Sequence, residues 1–137
     1  MERVAQCHCG SLRAVTSGEP LLVNMCHCLA CQRRTGALVA NGAAFSKEQV
    51  IVEGPSRVFE RDAQSGRKVR FHFCPICGTS LYWEPEVRSD LRIVAVGTFA
   101  DPNFPSPSAS IFEATKHSWL QLPEGMAHFH GTMTASK

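Results

Sequence analysis

Cysteines carry most of the chemical information in this sequence. The chain has 137 residues and seven cysteines, which fall into three local clusters. The clusters are Cys7-His8-Cys9-Gly10, Cys26-His27-Cys28-Leu29-Ala30-Cys31 and Cys74-Pro75-Ile76-Cys77-Gly78. A chain of this length buries enough surface to fold without cross-links. An odd number of closely spaced thiols therefore favours metal coordination or nucleophilic chemistry over a framework of disulfides.

The third cluster has the most specific local pattern. Two cysteines separated by two residues can place two thiolates on one tetrahedral zinc ion, and Gly78 supplies the backbone freedom behind them. A redox function of Cys74 and Cys77 is the other interpretation. The predicted strand-turn-strand context, however, lacks the helix that lowers the thiol pKa in thioredoxin-type sites. We therefore interpret this cluster as half of a zinc site.

That zinc site needs two further ligands, and the remaining cysteines can supply them in two ways. In the first, Cys28 and Cys31 join Cys74 and Cys77, and three cysteines remain over. In the second, the first cluster supplies the missing thiolates, and the second cluster stays intact as a group of three. The second division keeps each local cluster together and uses all seven thiols.

A group of three thiolates within one turn has a chemical meaning of its own. Structural zinc sites have four protein ligands, whereas catalytic sites usually have three and one open position. Zinc with three thiolates is a weak activator of water and is better suited to binding and deprotonating a substrate thiol. Arg33 and Arg34 follow these ligands and are candidates to offset the negative charge or to bind a substrate carboxylate.

Histidines offer further donors. His8 and His27 could each close a site with a fourth ligand, but each lies between two cysteines, so its side chain is expected to point away from their shared ion. His128 and His130 could share a strand face and bind a metal. We interpret His72, which alternates with phenylalanines, as a surface group or a group that supports a site.

Short strands must position these clusters, because helical periodicity is scarce and turn residues are frequent. We predict an all-β fold of packed antiparallel sheets with about eight strands. The clearest alternation is Lys68-Val69-Arg70-Phe71-His72-Phe73, with its apolar residues on one face. The other predicted strands are 12–16, 21–23, 37–40, 50–52, 57–60, 81–83 and 91–96.

Helical structure is expected at only two places. One is a single turn after Cys28 that ends at Gly36, a residue type that commonly terminates helices. The other is the turn at 46–49, where Ser46 is a candidate N-cap.

Composition indicates one globular domain spanning 1–137. Apolar residues make up 44%, charged residues 19%, and the net charge is +2. No apolar run approaches the roughly 20 residues of a membrane span, and the N-terminus lacks the pattern of a secretory signal. We therefore expect a cytoplasmic protein that does not bind membranes. The basic group at 67–70 is interpreted as a solvated strand face, so nucleic-acid binding is not expected.

The three cysteine clusters, in this order, resemble the glutathione-dependent formaldehyde-activating enzyme and centromere protein V family. The strongest similarity lies in 7–13, 26–36 and 73–81, with weaker similarity in 96–102 and 116–119. The resemblance implies a tent-like, all-β fold (β-tent) with two zinc sites. The implied structural ligands are Cys7, Cys9, Cys74 and Cys77. The implied ligands at the presumed active site are Cys26, Cys28 and Cys31.

The activity that the resemblance implies is that of a carbon–sulfur lyase. Such an enzyme joins formaldehyde and glutathione as S-hydroxymethylglutathione, or releases them. The sequence has Ser110-Ile111-Phe112 where many members have a histidine. We expect a zinc-dependent enzyme that acts on a thiol adduct, with Arg33, Arg34 or His117 as the donor to a developing alkoxide. A non-catalytic, zinc-stabilised binding module is the alternative.

Overall fold

A computed structural model describes residues 1–133 of the chain. Strands account for 41% of the structure and helical segments for 15%. The predicted all-β class is therefore confirmed. The strands are β1 (Glu2–Gln6), β2 (Arg13–Ser17), β3 (Leu22–Cys26), β4 (Ala40–Ser46), β5 (Val50–Glu53), β6 (Arg57–Asp62), β7 (Lys68–Phe73), β8 (Ser80–Pro85), β9 (Leu91–Ala95), β10 (Ala109–Ile111) and β11 (Ala127–His128). The helices are α1 (Leu29–Thr35) and the 3-10 segments Lys47–Gln49, Glu86–Arg88, Val96–Phe99 and Glu113–Thr115.

The chain forms two compact units. The first comprises Met1–Leu21 and Ala43–Phe104. The second comprises Leu22–Gly42 and the described residues from Pro105 onward. Strand β4 spans the boundary along the chain, beginning in the second unit and ending in the first.

The first unit contains a three-stranded antiparallel sheet in the order β1-β2-β5. Ala5 and Ala14 pair across β1 and β2 and are both fully buried, so small side chains form the inner face. Leu12, at the entrance to β2, is also fully buried. The first cysteine cluster lies in the connection between β1 and β2, so the sheet holds both ends of that loop.

A second antiparallel arrangement in the first unit has the order β9-β8-β7-β6. Strand β7 has the bounds that the alternating pattern predicts. Phe71 is buried, whereas Lys68 and Arg70 are exposed and form ion pairs with Asp62 and Glu60 of β6. The basic group is therefore part of a solvated face, as predicted, and β7 leads directly into the third cysteine cluster.

The second unit contains β3, β10 and β11, with β10 parallel to both neighbours. Ser110 pairs with Met25 of β3 and with His128 of β11. The fold therefore combines the predicted antiparallel pairing with parallel pairing at β10. Strands β3 and β10 are far apart in sequence, so no hairpin turn sets their relative direction. Strand β10 is also too short for its alternation to be recognised.

Helix α1 has local signals at both ends. Cys28 is its N-cap and accepts a hydrogen bond from the amide of Cys31 at 3.3 Å. Gly36 ends it in the left-handed region with φ of 72°, and its amide donates to the carbonyl of Gln32 at 2.8 Å. The predicted turn and its C-terminal glycine are therefore confirmed. Ser46 likewise caps the 3-10 segment that follows it.

Strand β4 differs most from the predicted elements. The sequence predicts a strand at 37–40 that stops at Asn41-Gly42, but the strand begins at Ala40 and continues to Ser46. Gly42 does not adopt a positive φ. Ala43, Ala44 and Phe45 are buried, and their burial favours a strand that continues through Asn41 and Gly42, two residue types that are common in turns.

Candidate metal centres

Four thiols from two loops converge in the first unit, and we call them the four-thiol group: Cys7, Cys9, Cys74 and Cys77. All four sulfur atoms lie within 4.8 Å of one another. The Cys9 sulfur is 3.6 Å from those of both Cys7 and Cys74. Sulfur atoms on a tetrahedral zinc ion at 2.3 Å stand about 3.8 Å apart, so both the donor type and the spacing fit a closed zinc site.

The two loops of this group have the same backbone design. The amide of Cys7 donates to the carbonyl of Leu12, and the amide of Cys74 donates to the carbonyl of Thr79, each at 2.9 Å. The glycine after the last cysteine has a positive φ, 84° at Gly10 and 81° at Gly78. This conformation is accessible to glycine at little cost, so both glycines turn the chain back after presenting two sulfurs.

Hydrogen-bond donors surround the sulfurs of the four-thiol group. The Ser11 hydroxyl lies 3.1 Å from the Cys9 sulfur and 3.2 Å from the Cys74 sulfur. Thr79 Oγ1 lies 3.3 Å from the Cys77 sulfur. The Thr79 hydroxyl and the backbone amides of Cys9 and Thr79 lower the pKa of Cys77 to about 5. The Ser11 hydroxyl is the main cause of a lowered pKa at Cys74. Hydrogen bonds with Ser11 lower the pKa of Cys9, but burial and the contacts with Cys7 and Cys74 outweigh them, so its net pKa is raised. Cys74 and Cys77 are therefore the two thiols prepared to bind a cation as thiolates.

A separate set of thiols lies in the second unit, and we call it the three-thiol group: Cys26, Cys28 and Cys31. Their sulfurs also lie within 4.8 Å of one another. Cys26 ends β3, Cys28 caps α1, and Cys31 lies buried in its first turn. Among residues 1–133 no fourth Cys, His, Asp or Glu joins this group. Its donors fit a soft metal ion with one coordination position left open.

In the three-thiol group the pKa values of Cys26 and Cys31 are both raised, whereas those of Cys74 and Cys77 in the four-thiol group are lowered. Hydrogen bonding to Cys28 and Cys31, together with burial, raises the pKa of Cys26. A hydrogen bond with Cys26 lowers the pKa of Cys31, but hydrogen bonding to Cys28 and burial outweigh it, so the net pKa is raised. Three adjacent thiolates repel one another, so a bound cation is the natural means of holding them together.

The predicted arginines lie at the end of α1. Arg33 is exposed and Arg34 is partly buried. The positive charge of Arg34 lowers the pKa of Cys31, which places this guanidinium within electrostatic range of the three-thiol group. Arg34 is therefore better placed than a fully solvated arginine to interact with an anion bound beside these sulfurs.

The structure brings no histidine into either thiol group within residues 1–133. His8 is exposed, whereas His27 is fully buried with its Nε2 atom 2.8 Å from Ser110 Oγ. His72 is half-buried, lies 2.9 Å from Glu84 and stacks on Tyr82.

The histidines near the C-terminus also lie outside both thiol groups. His128 Nδ1 lies 2.7 Å from a Glu113 oxygen, and His130 is exposed. His117 packs edge-on against Trp119, and its Nδ1 atom is buried without a hydrogen-bond partner.

Sequence reasoning missed the hydroxyl residues that support both groups. Ser11 and Thr79 each follow the glycine of a cysteine loop, and this repeated Cys-Gly-hydroxyl pattern is a signal that the sequence offers. Ser110 and Thr115, which bond to His27, carry no such signal because they are far from the cysteines in sequence. Only the pairing of β10 with β3 brings them close.

Together, the all-β fold and the two thiol groups define a protein with two candidate metal centres. Residues 2–115 match the family model of the glutathione-dependent formaldehyde-activating enzyme. The chain belongs to this family, as its cysteine clusters predict.

The fold is similar to that of a Rhodobacter sphaeroides protein of known crystal structure. The two chains are 16% identical, the match covers 92% of this chain and 98% of the other, and the TM-score is 0.52. At this identity the similarity supports the fold alone. A comparison with curated proteins found no match. Within the described residues, no helix has both the length and the apolar character needed to cross a membrane.

Proposed function

We propose that the protein is a zinc-dependent carbon–sulfur lyase-type enzyme that acts on a thiol adduct of an aldehyde. S-hydroxymethylglutathione, formed from glutathione and formaldehyde, is the proposed substrate or product. The observation that carries this proposal is the three-thiol group, which has no fourth Cys, His, Asp or Glu donor within residues 1–133. Membership of the family supports glutathione and formaldehyde as the reacting pair.

The two thiol groups are proposed to have different roles. The four-thiol group would hold a structural zinc ion, because four thiolates leave no position for a substrate. The three-thiol group would hold the zinc ion of the active site, which when bound supplies a soft Lewis acid for the sulfur of a small thiol. The raised pKa values of Cys26 and Cys31 support this second role, since a cation is needed to keep these thiols ionised.

The remaining chemistry is assigned to side chains of this chain. In the forming direction, the thiolate sulfur attacks the carbonyl carbon, a carbon–sulfur bond forms, and the carbonyl π electrons move to oxygen, which then takes a proton. Arg33 and Arg34 are proposed to bind carboxylates of the thiol substrate, and Arg34 is supported by its electrostatic effect on Cys31. Arg33, Arg34 and His117 are the candidate donors to the developing oxyanion.

The proposed compartment follows from the thiol chemistry of the two groups. Metal-binding thiols must stay reduced, and the cytoplasm keeps thiols reduced. We propose a cytoplasmic protein in which 1–137 acts as one zinc-binding domain, with a small thiol as its partner.

The test is to mix glutathione and formaldehyde with protein of known zinc content and to follow adduct formation. Enzyme should speed the approach to equilibrium beyond the uncatalysed addition, and Cys31→Ser should abolish this while the fold is kept. The absence of any acceleration by protein that carries both zinc ions would rule out the named activity. If Cys31→Ser instead lowers thermal stability as much as Cys77→Ser does and no thiol binds, the protein is a zinc-stabilised binding module.

A further inference from the structure

His27, the residue between two members of the three-thiol group, is held inside the second unit by its side chain. It is fully buried, with 0% of its surface exposed. Its Nε2 atom lies 2.8 Å from Ser110 Oγ, and Ser110 on β10 is also fully buried. Because side chains alternate along an extended chain, His27 is expected to face away from the sulfurs of Cys26 and Cys28. Holding the His27 side chain in place on one side of this segment therefore also fixes the direction of the Cys26 and Cys28 side chains on the other.

The backbone of His27 is held as firmly as its ring. Its amide donates to the carbonyl of Ile111 at 3.1 Å. Its carbonyl accepts from Thr115 Oγ1 at 2.8 Å and from Gln32 Nε2 at 2.9 Å. The peptide groups that join His27 to the flanking cysteines are thus bonded to the segment that begins with β10 and to α1.

The orientation of the His27–Ser110 hydrogen bond follows from the other ring nitrogen of His27. The Nδ1 atom is buried without a hydrogen-bond partner. A proton on Nδ1 would leave a buried N–H donor unsatisfied, so the neutral ring is favoured with its proton on Nε2. The Nε2–H group of His27 then donates to Ser110 Oγ at 2.8 Å. This contact orients the ring of His27.

We infer that Ser110 is a positioning residue for the three-thiol group. Through His27 it orients the peptide segment that carries Cys26 and Cys28, so the metal affinity of the group depends on a hydroxyl supplied by β10. This inference rests on the proposed metal binding at the three-thiol group and deepens it. Removing a hydrogen bond made directly to a metal ligand typically costs about 10- to 100-fold in metal affinity, and we expect the lower end of this range for Ser110, which acts through His27.

The experiment measures zinc transfer from the holoprotein to a chromophoric chelator. Wild-type protein should release zinc in two phases, and Cys31→Ser identifies the phase that belongs to the three-thiol group. Ser110→Ala should accelerate that phase by about 10-fold or more, leaving the phase of the four-thiol group unchanged. The matched control is Ser108→Ala, the same change at an exposed position just before β10, which should leave both phases unchanged.

A second variant guards against general unfolding of Ser110→Ala. Thr115 is exposed, so Thr115→Val removes its hydrogen bond to the His27 carbonyl without opening a buried cavity. It should accelerate the same phase by a smaller factor. The inference would be overturned if both variants released zinc at wild-type rates, or if each variant accelerated the two phases equally. Neither result would contradict metal binding at the two thiol groups. A single phase in wild-type protein would overturn the inference together with metal binding at the three-thiol group.

Discussion

Two hydroxyl side chains, Ser11 and Thr79, contact the sulfurs of the four-thiol group. Thr79 also connects the two cysteine loops, because its Oγ1 atom accepts from the amide of His8 at 3.1 Å and lies 3.3 Å from the Cys77 sulfur. An amide that donates to this oxygen polarises the hydroxyl toward the sulfur. At the residue scale, the loops are therefore joined by a hydrogen-bond chain before any ion binds.

Replacing Thr79 by valine should weaken zinc binding at the four-thiol group. Valine has the shape of threonine but cannot accept from His8 or donate to Cys77, so zinc release to a chelator should be accelerated by about 10-fold. Thr79→Ser keeps the hydroxyl and should release zinc at nearly the wild-type rate. Equal rates in the valine and serine variants would show that the hydroxyl does not support the site.

At the scale of elements, Glu84 on β8 links this strand to its two neighbours, β7 and β9, through side-chain hydrogen bonds. Its carboxylate lies 3.0 Å from Arg92 on β9, 2.9 Å from His72 on β7 and 3.8 Å from Lys47. Burial raises the pKa of Glu84, but hydrogen bonds from Arg92 and His72 outweigh burial, and the net pKa lies below the ordinary 4.5. The ionised form is therefore favoured by folding.

Glu84→Gln should reduce the free energy of unfolding by about 1–3 kcal/mol near neutral pH. A carboxylate whose pKa is lowered by folding stabilises the protein fully above its unfolded pKa. This contribution is lost as the pH falls through the folded pKa, so the difference between wild type and variant should shrink below about pH 4.5. Urea unfolding over this range measures it, with the exposed Glu86→Gln as the matched control. A difference that grows on acidification would contradict the assignment.

The turn after β5 approaches the first cysteine loop closely. A Cβ atom on Gly54 would lie 1.9 Å from the carbonyl oxygen of Ser11, and the φ of Gly54 is 98°. Gly66 also has a positive φ, 83°, but a Cβ atom there would have nothing within 4 Å. The two glycines therefore separate the cost of the backbone conformation from the cost of a collision.

Gly54→Ala should destabilise the protein far more than Gly66→Ala. The second change adds only the left-handed backbone penalty of about 1–2 kcal/mol. The first adds a clash with backbone beside Ser11, so it should also accelerate zinc release from the four-thiol group. Thermal unfolding and chelator transfer measure the two effects. Similar losses of stability in both variants would mean that the loop moves aside without cost.

At the scale of the whole molecule, the two thiol groups should respond differently to loss of a ligand. Cys77→Ser removes one of four ligands from a closed site, and metal binding at such sites contributes directly to folding. We expect a clear fall in the melting temperature together with the loss of one zinc ion per chain. Cys31→Ser should lose the other ion with a smaller change in melting temperature. Equal melting temperatures for wild type and Cys77→Ser would show that the four-thiol group is not structural.

Short-range patterns in the sequence predicted a large part of this architecture. The spacing of cysteines and glycines within each cluster predicted the loops, because a tight turn depends on residues that are adjacent along the chain. The alternation of β7 and the glycine that ends α1 predicted those elements for the same reason. The class of the fold and the family followed from the same local motifs.

Tertiary structure decided which other distant residues meet at each group. It assembled one set of four thiols and one of three, the division that the sequence favoured and the family resemblance implied. It also placed Ser110 beside His27 and Thr79 beside His8. These contacts join residues that are far apart in sequence, through strand pairing and backbone hydrogen bonds. No local pattern encodes such a contact, because its geometry exists only when the sheets have formed.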